Sequence, residues 1–329
     1  MANEEQLAIL RSGVEAWKEW RDANPEADIR LEGANFEGAS LDGAILLGAR
    51  LNGANFASAS LRRATFWGSN LTGANFGYAN LEGTNFWKAS LEGASFEGAN
   101  LRGASLEGAN LEGANLGGAK LESACLVGSN LKGTCLKFAD LVGADLWGAN
   151  LRGASLEGAK LGGANLNSTD FGNVDIRGVV YDKTGKTGSF RGVRIATAYG
   201  SESFKRFVRD ADYLDEFKTQ HRFRYWVWWL VSDCGRSLGR WALLSLVLAM
   251  GFGLFFTLWP EHVQLASDRA PTWFTYFYYS IVTFTTLGFG DVTPIDLVGE
   301  IAVTIEVICG YVMLGGLLSI LANKLARRS

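Results

Sequence analysis

From Leu31 to Ile176 a large apolar residue returns at every fifth position, thirty in succession, leucine or phenylalanine at all but the last. Neither an α-helix, with 3.6 residues per turn, nor a flat strand, with a period of two, produces that spacing. Two residues before nearly every one stands a small side chain: Ala34, Ala39, Ala44 and Ala49, with Ser69, Thr84 and Ser129 as near equivalents further on. A five-residue turn that sends one large and one small side chain inward makes one side of a square coil. Four sides, twenty residues, close the coil, and successive coils stack through backbone hydrogen bonds. The phenylalanines test that figure, because Phe36, Phe56, Phe76 and Phe96 are twenty apart, as are Phe66 and Phe86, so their rings should stack in columns. About 7.5 coils at about 4.8 Å each predict a rod roughly 36 Å long.

A solenoid exposes its core at each end unless something covers it. Leu7, Leu10, Val14 and Trp17 lie at helical spacing behind a capping box from Asn3 to Gln6, and Pro25 stops the helix. Phe204, Phe207, Val208, Ala211, Leu214 and Phe217 form a second apolar stripe past the repeats. Both are assigned as caps in preference to partner-binding helices.

Beyond Ser201 the pattern changes. Trp241 to Trp259 is free of charge and, at 1.5 Å per residue, long enough to cross a hydrocarbon core of about 30 Å. Ile301 to Ala322 carries a single charge, Glu306, and predicts a second span. Between them Trp273 to Leu287 is apolar and aromatic but too short to cross and return, so it reads as re-entrant. Arg222, Arg224, Arg236 and Arg240 precede the first span, and Lys324, Arg327 and Arg328 follow the second. Only Arg269 lies between, which predicts that both termini face the cytoplasm. His221 to Trp229 mixes cations with large aromatics, as an interfacial helix on the inner leaflet would. Its place just before a span argues against nucleic-acid binding.

Composition narrows the classes further. Forty-one glycines beside only four prolines exclude a collagen-like or low-complexity chain and fit a periodic use of glycine. A net charge of −3 gives no ground for a nucleic-acid partner. Cys125, Cys135, Cys234 and Cys309 are too scattered for a metal site or disulfide framework. The first thirty residues show no apolar stretch of signal-peptide length. Gly185-Lys186-Thr187 lacks the upstream glycine of a phosphate loop, Val180 standing in its place. The two histidines, His221 and His262, belong to no triad, so the chain is not read as an enzyme and no cofactor is expected.

The residues just after each inward leucine face solvent. On three sides they are mostly charged or small; on the fourth they read Leu47, Trp67, Trp87, Glu107, Val127, Trp147 and Asn167. The apolar members Leu47, Trp67, Trp87, Val127 and Trp147 form a candidate interface column for another subunit or a cytoplasmic protein, against the alternative that an end helix or linker folds over them. The register A-(N/D)-L-x-x from about Leu31 to Val180 resembles the pentapeptide-repeat family with high specificity. That resemblance implies a right-handed quadrilateral β-helix. Some members of that family mimic DNA and bind topoisomerases, but nine Glu and five Asp against eleven Lys and Arg over residues 31–180 make a poor acidic mimic.

One short stretch carries the chemistry: T-T-L-G-F-G-D, Thr285 to Asp291, between the two spans. Backbone at membrane depth must find substitutes for its hydrogen bonds, and cations can be those substitutes. Gly288 and Gly290, at alternate positions, permit the positive φ that turns successive carbonyls toward one axis. From Trp241 onward the chain resembles the two-helix pore module of bacterial potassium channels. The resemblance implies a selectivity filter over Thr286, Leu287, Gly288, Phe289 and Gly290, with K+ held by the Thr286 hydroxyl and the carbonyls of Thr286, Leu287, Gly288 and Phe289. It implies filter support from Tyr278, Tyr279, Thr285 and Asp291, a hinge at Gly310, and a homotetramer, since each chain supplies a quarter of the ligands. Phe289 stands in place of the usual tyrosine and lacks a hydroxyl to brace the filter. Val282 stands where some relatives pair a glutamate with the outer aspartate, and Leu287 in place of valine leaves the carbonyl unchanged. Glu306 is a candidate intramembrane functional acid, read either as hydrogen-bonded to the back of the pore helix, which is preferred, or as a pore-facing charge.

The expected organisation is an N-terminal cap over 1–30, the cytoplasmic β-helix over 31–180, a linker and second cap over 181–220, an interfacial helix over 221–240 and the pore domain over 241–329. Within the last lie spans at 241–259 and 298–322, a pore helix at 272–285 and the filter at 286–290. The expected fold is thus a multidomain membrane protein, a capped β-helix followed by an all-α pore domain. The expected function is a potassium-selective channel of the prokaryotic inner membrane, K+ being the permeant ion. A non-selective cation channel and a membrane-anchored repeat scaffold with a non-conducting pore are the alternatives.

Overall fold

Parallel bridges join Arg30 to Arg50, Asn35 to Asn55, Ser40 to Ser60 and Ile45 to Thr65, and the same twenty-residue step continues to Lys160 and Val180. Each side is a β-turn. The Leu31 carbonyl accepts from the Ala34 amide at 3.2 Å, while the Leu31 and Gly33 amides donate at 2.9 and 3.0 Å to carbonyls of Arg50 and Asn52 in the next coil. The turn needs a positive φ at its third residue, which Gly33 supplies at +67°. Tyr78 and Phe138 hold the same corner at +59° and +58°. Each ring lies over a glycine one coil on, Gly98 or Gly158, where an added Cβ would meet the ring at 2.7 or 2.5 Å.

The computed structural model describes residues 2–182, 188–232, 237–265, 274–285 and 292–326. They divide into two compact units, Met1–Glu216 and Phe217–Ser329. In the first, the inward leucines, phenylalanines and alanines form one continuous buried core. The phenylalanine columns stand as the spacing requires: Phe36, Phe56, Phe76 and Phe96 stack at 4.9–5.0 Å, and Phe66 stacks on Phe86 at 5.1 Å. Where serine or threonine replaces the small alanine, the hydroxyl satisfies itself on backbone, Ser69 donating to the Leu46 carbonyl at 2.6 Å and Thr84 to that of Leu61 at 2.8 Å.

Both ends differ in detail from the sequence-based expectation. The N-terminal cap is two helices, α1 (Glu4–Ser12) and α2 (Val14–Ala23), because Gly13 breaks the run at φ +136°. Asn3 caps α1 by accepting from the Gln6 amide at 3.1 Å. The Gln6 side chain does not complete the box; it donates to the Asp28 carbonyl and accepts from the Arg30 amide, covering the edge of the first coil. Leu7, Leu10 and Trp17 are buried there. At the other end the coil does not stop at 180. Asn165, Asp170 and Asp175 bridge Ser189, Arg194 and Tyr199 at a step of twenty-four, so four inserted residues precede one more set of sides. Residues 189–199 therefore belong to the β-helix rather than to a linker, and Phe190 and Ile195 are their inward residues. The second cap is α3 (Glu202–Gln220), with Phe204 and Val208 buried.

The last complete coil is tied by Asp175. It is 4 % exposed, and its carboxylate accepts from Arg177 Nε at 3.0 Å and Nη2 at 2.7 Å. The Arg177 guanidinium holds its carboxyl below the usual aspartate range, although burial opposes this. A carboxyl with a lowered native pKa stabilises the fold at full strength above its unfolded pKa, about 4, and loses that contribution as pH falls through the native value. Thermal unfolding followed by circular dichroism should therefore show Asp175→Asn less stable than the parent at pH 7, the difference closing below about pH 4.

In the second unit α4 (Arg222–Ser232) precedes α5 (Leu238–Leu258), α6 (Thr275–Thr285) and α7 (Leu297–Ala326). Of the helix assigned to 221–240 the described part is Arg222–Ser232, and Ser237 already stands in extended backbone ahead of α5. The first span starts three residues before Trp241, because the Ser237 hydroxyl caps it by accepting from the Arg240 amide at 3.2 Å. The second span is Leu297–Ala322, ending where expected, within a helix that runs on to Ala326. Two three-residue strands, β1 (Val263–Leu265) and β2 (Val292–Pro294), pair antiparallel between the helices.

Candidate functional site

The three helices α5, α6 and α7 pack on one another through small residues. Gly253 on α5 sits against Phe277, where an added Cβ would lie 2.8 Å from the Phe277 Cα. Gly316 on α7 makes room for the Trp241 indole, whose Nε1 donates to the Met313 carbonyl at 2.6 Å. At the head of α7, Gly299 faces the His262 carbonyl with no room for a side chain. Gly253→Ala should lower the melting temperature of the detergent-solubilised full chain, by the equivalent of about 1–3 kcal/mol of overpacking. Gly251→Ala is its control, since nothing lies within 4 Å there, and should leave the melting temperature unchanged.

α5 and α7 are long and apolar enough to cross a membrane. Only 17 % of the most apolar stretch of either is buried within the chain, whereas the core helix of a soluble protein would be covered by its own fold. Leu243, Leu246, Val247, Ile301, Ile305 and Val312 are among the exposed side chains. Such a surface requires lipid or other subunits around it.

The stretch Thr286–Asp291, which carries the filter and Asp291, lies outside the described residues. Around it, α6 ends at Thr285 and β2 begins at Val292. Tyr278 and Tyr279 are adjacent on α6 with ring centroids 5.6 Å apart, Tyr278 54 % exposed and Tyr279 half-buried. Gly310 is buried within the unbroken α7. Glu306 is 1 % exposed and meets Ser280 of α6, itself 1 % exposed, in a hydrogen bond. It therefore faces α6. Beside the helices, His262 Nδ1 lies 2.6 Å from Asp296 Oδ2. The Gly299 amide, with the imidazole second, holds the Asp296 carboxyl below its usual range. This pair, Ser280 and the three close-packed glycines were not singled out in the sequence. Ser280 is one small polar residue in an aromatic helix, and the glycines show their purpose only once a partner is opposite.

On the repeat unit, Leu47, Trp67 and Trp147 are exposed and Trp87 and Val127 half-buried, with the Trp67 and Trp87 rings 5.2 Å apart. Lys88 Nζ stands 4.3 Å over the Trp87 ring. Among the described residues no three His, Cys, Asp or Glu side chains converge to hold a metal.

Two family comparisons cover both units. Residues 29–68, 69–108, 99–137 and 139–178 match pentapeptide repeats, in eight copies, and residues 242–327 match an ion channel. Solved structures similar to the chain include QnrB1, a plasmid-mediated fluoroquinolone resistance protein, at 24 % identity over 54 % of this chain and 84 % of that one, TM-score 0.42. HetL, a pentapeptide repeat protein involved in heterocyst differentiation regulation from the cyanobacterium Nostoc sp. strain PCC 7120, is 30 % identical over 50 % and 81 %, TM-score 0.22. The pentapeptide repeat protein alr5209 from Nostoc PCC 7120 is 36 % identical over 30 % and 83 %, TM-score 0.25. At TM-scores below 0.5 these likenesses carry no argument about function. No curated protein matches the chain. Residues 29–178 are thus pentapeptide repeats and residues 242–327 an ion channel domain: a repeat protein fused to a two-helix channel module.

Proposed function

We propose that the protein is a potassium-selective channel, a homotetramer in the inner membrane of a prokaryote, with both termini and the β-helix on the cytoplasmic side. The observation that carries this reading is the order α5, α6, T-T-L-G-F-G-D, α7 within the ion channel domain. Two glycines alternating with bulky residues directly after a short helix are what a carbonyl-lined filter requires. In this reading the Thr286 hydroxyl and the carbonyls of Thr286, Leu287, Gly288 and Phe289 replace the hydration shell of K+. Gly290 completes the loop, Tyr278, Tyr279, Thr285 and Asp291 brace it, and Gly310 is where α7 bends on opening. The apolar surface left open on α5 and α7, and the exposed Tyr278 ring, are surfaces that lipid and neighbouring subunits would cover.

The β-helix serves assembly, partner binding or gating, with the column Leu47, Trp67, Trp87, Val127 and Trp147 as its contact face. Flux of K+, Rb+ and Na+ from liposomes holding the full chain tests the proposal. Strong K+ and Rb+ flux with Na+ excluded is the expected result. Equal K+ and Na+ flux would mean a non-selective cation channel, and no flux under any condition a membrane-anchored scaffold.

A further inference from the structure

Three helices meet at one hydroxyl. Ser280 Oγ on α6 lies 2.7 Å from the Ala249 carbonyl oxygen on α5 and in hydrogen-bond contact with the Glu306 carboxyl on α7. All of this is buried: Ser280 and Glu306 are each 1 % exposed and Ala249 is 3 %. Trp241, Ile281, Cys309 and Met313 pack around Ala249. Among the described residues no basic side chain pairs with Glu306.

The proton count limits how these contacts are made. A hydroxyl has one proton, and a backbone carbonyl can only accept. With that proton directed to Ala249, the contact to Glu306 needs a donor on the α7 side. A carboxylic acid supplies one, and so does a primary amide; a carboxylate or a hydrocarbon does not. A polar group buried without its partner is costly, so the three helices hold this arrangement or lose it together.

We propose that Glu306 is a positioning residue for conduction: through Ser280 it clasps α7 to α6 and α5, and so fixes the helix whose last residue, Thr285, leads into the filter. The proposal rests on the channel reading above and adds what couples the long α7 to the ion-binding segment. Movement of α7 would reach the filter through this hydroxyl.

The test uses the full chain in liposomes, with oligomer size checked for every variant. Glu306→Gln retains a donor and should keep the parental K+ flux and K+ over Na+ ratio. Glu306→Leu and Ser280→Ala should each lower that ratio about tenfold, the scale of one buried hydrogen bond, without changing oligomer size. Should Glu306→Leu fail to assemble, Ser280→Ala, which removes a single oxygen, carries the test. A parental ratio in Ser280→Ala, or Gln as damaging as Leu, would overturn the clasp. If the unaltered protein conducts no ion, the channel reading itself fails. The clasp is then judged by melting temperature: losses in Ser280→Ala and Glu306→Leu that simply add in the double variant contradict it, and losses that do not add support it.

Discussion

Gly288→Ala is expected to abolish K+-selective flux while the protein still inserts and assembles. A filter carbonyl replaces water around the ion only if it points at the axis, and successive carbonyls of L-residues in extended backbone point to opposite sides. Alternating residues with positive φ turn them the same way, at a cost of about 1–2 kcal/mol per L-residue that glycine does not incur. In the proposed tetramer an alanine at 288 would incur that cost four times, and the loop would relax to a shape with fewer oxygens facing the ion. Liposome flux and oligomer size measured on the same preparation check this. A variant that still excluded Na+ would contradict the filter assignment.

The largest effect expected in the repeat unit is at Phe76. Its ring stacks between Phe56 and Phe96 at 5.0 and 4.9 Å and meets Phe66 and Phe86 edge-on at 5.9 and 5.6 Å. No other phenylalanine in these columns has two stacked and two edge-on neighbours, since Phe56 has two and one and Phe66 and Phe86 have one and two, so removal of Phe76 strands rings on every side. The coils above and below are held in register by backbone hydrogen bonds and cannot close the gap. Phe76→Ala should cost about 3–5 kcal/mol, the range for a large buried aromatic, read by thermal or denaturant unfolding of the repeat unit. A loss below about 1 kcal/mol would mean the columns are not rigid.

Much of the β-helix was legible because its period is short and strict. Leucine or phenylalanine at every fifth place gave the four-sided coil, and phenylalanines twenty apart gave its circumference. The same strictness hid the final coil. Phe190 and Ile195 keep the five-residue spacing, but the four inserted residues put them out of phase with Ile176. Gly13 leaves no mark in the apolar pattern, because Leu10, Val14 and Trp17 keep helical spacing across the break that its φ makes.

In the channel unit, hydropathy placed both apolar helices to within a few residues, since their composition alone sets them apart. Glu306 was legible as an intramembrane acid with two alternative settings, and its partner Ser280 was not, because that contact joins two helices far apart in the chain. Gly253, Gly299 and Gly316 were not legible as close approaches, because Phe277, His262 and Trp241 come from other segments of the chain. β1 and β2 are three residues each, too short for alternation to show, and their pairing depends on what brings the two loops together.

The most direct measurement is anomalous X-ray scattering from crystals of the full chain grown with Rb+ or Tl+ in place of K+. The account predicts four chains around one axis and a single file of anomalous peaks on it, spaced along the backbone from Thr286 to Gly290. A dimer, or a tetramer whose 286–290 segments enclose no ion on the axis, would contradict it.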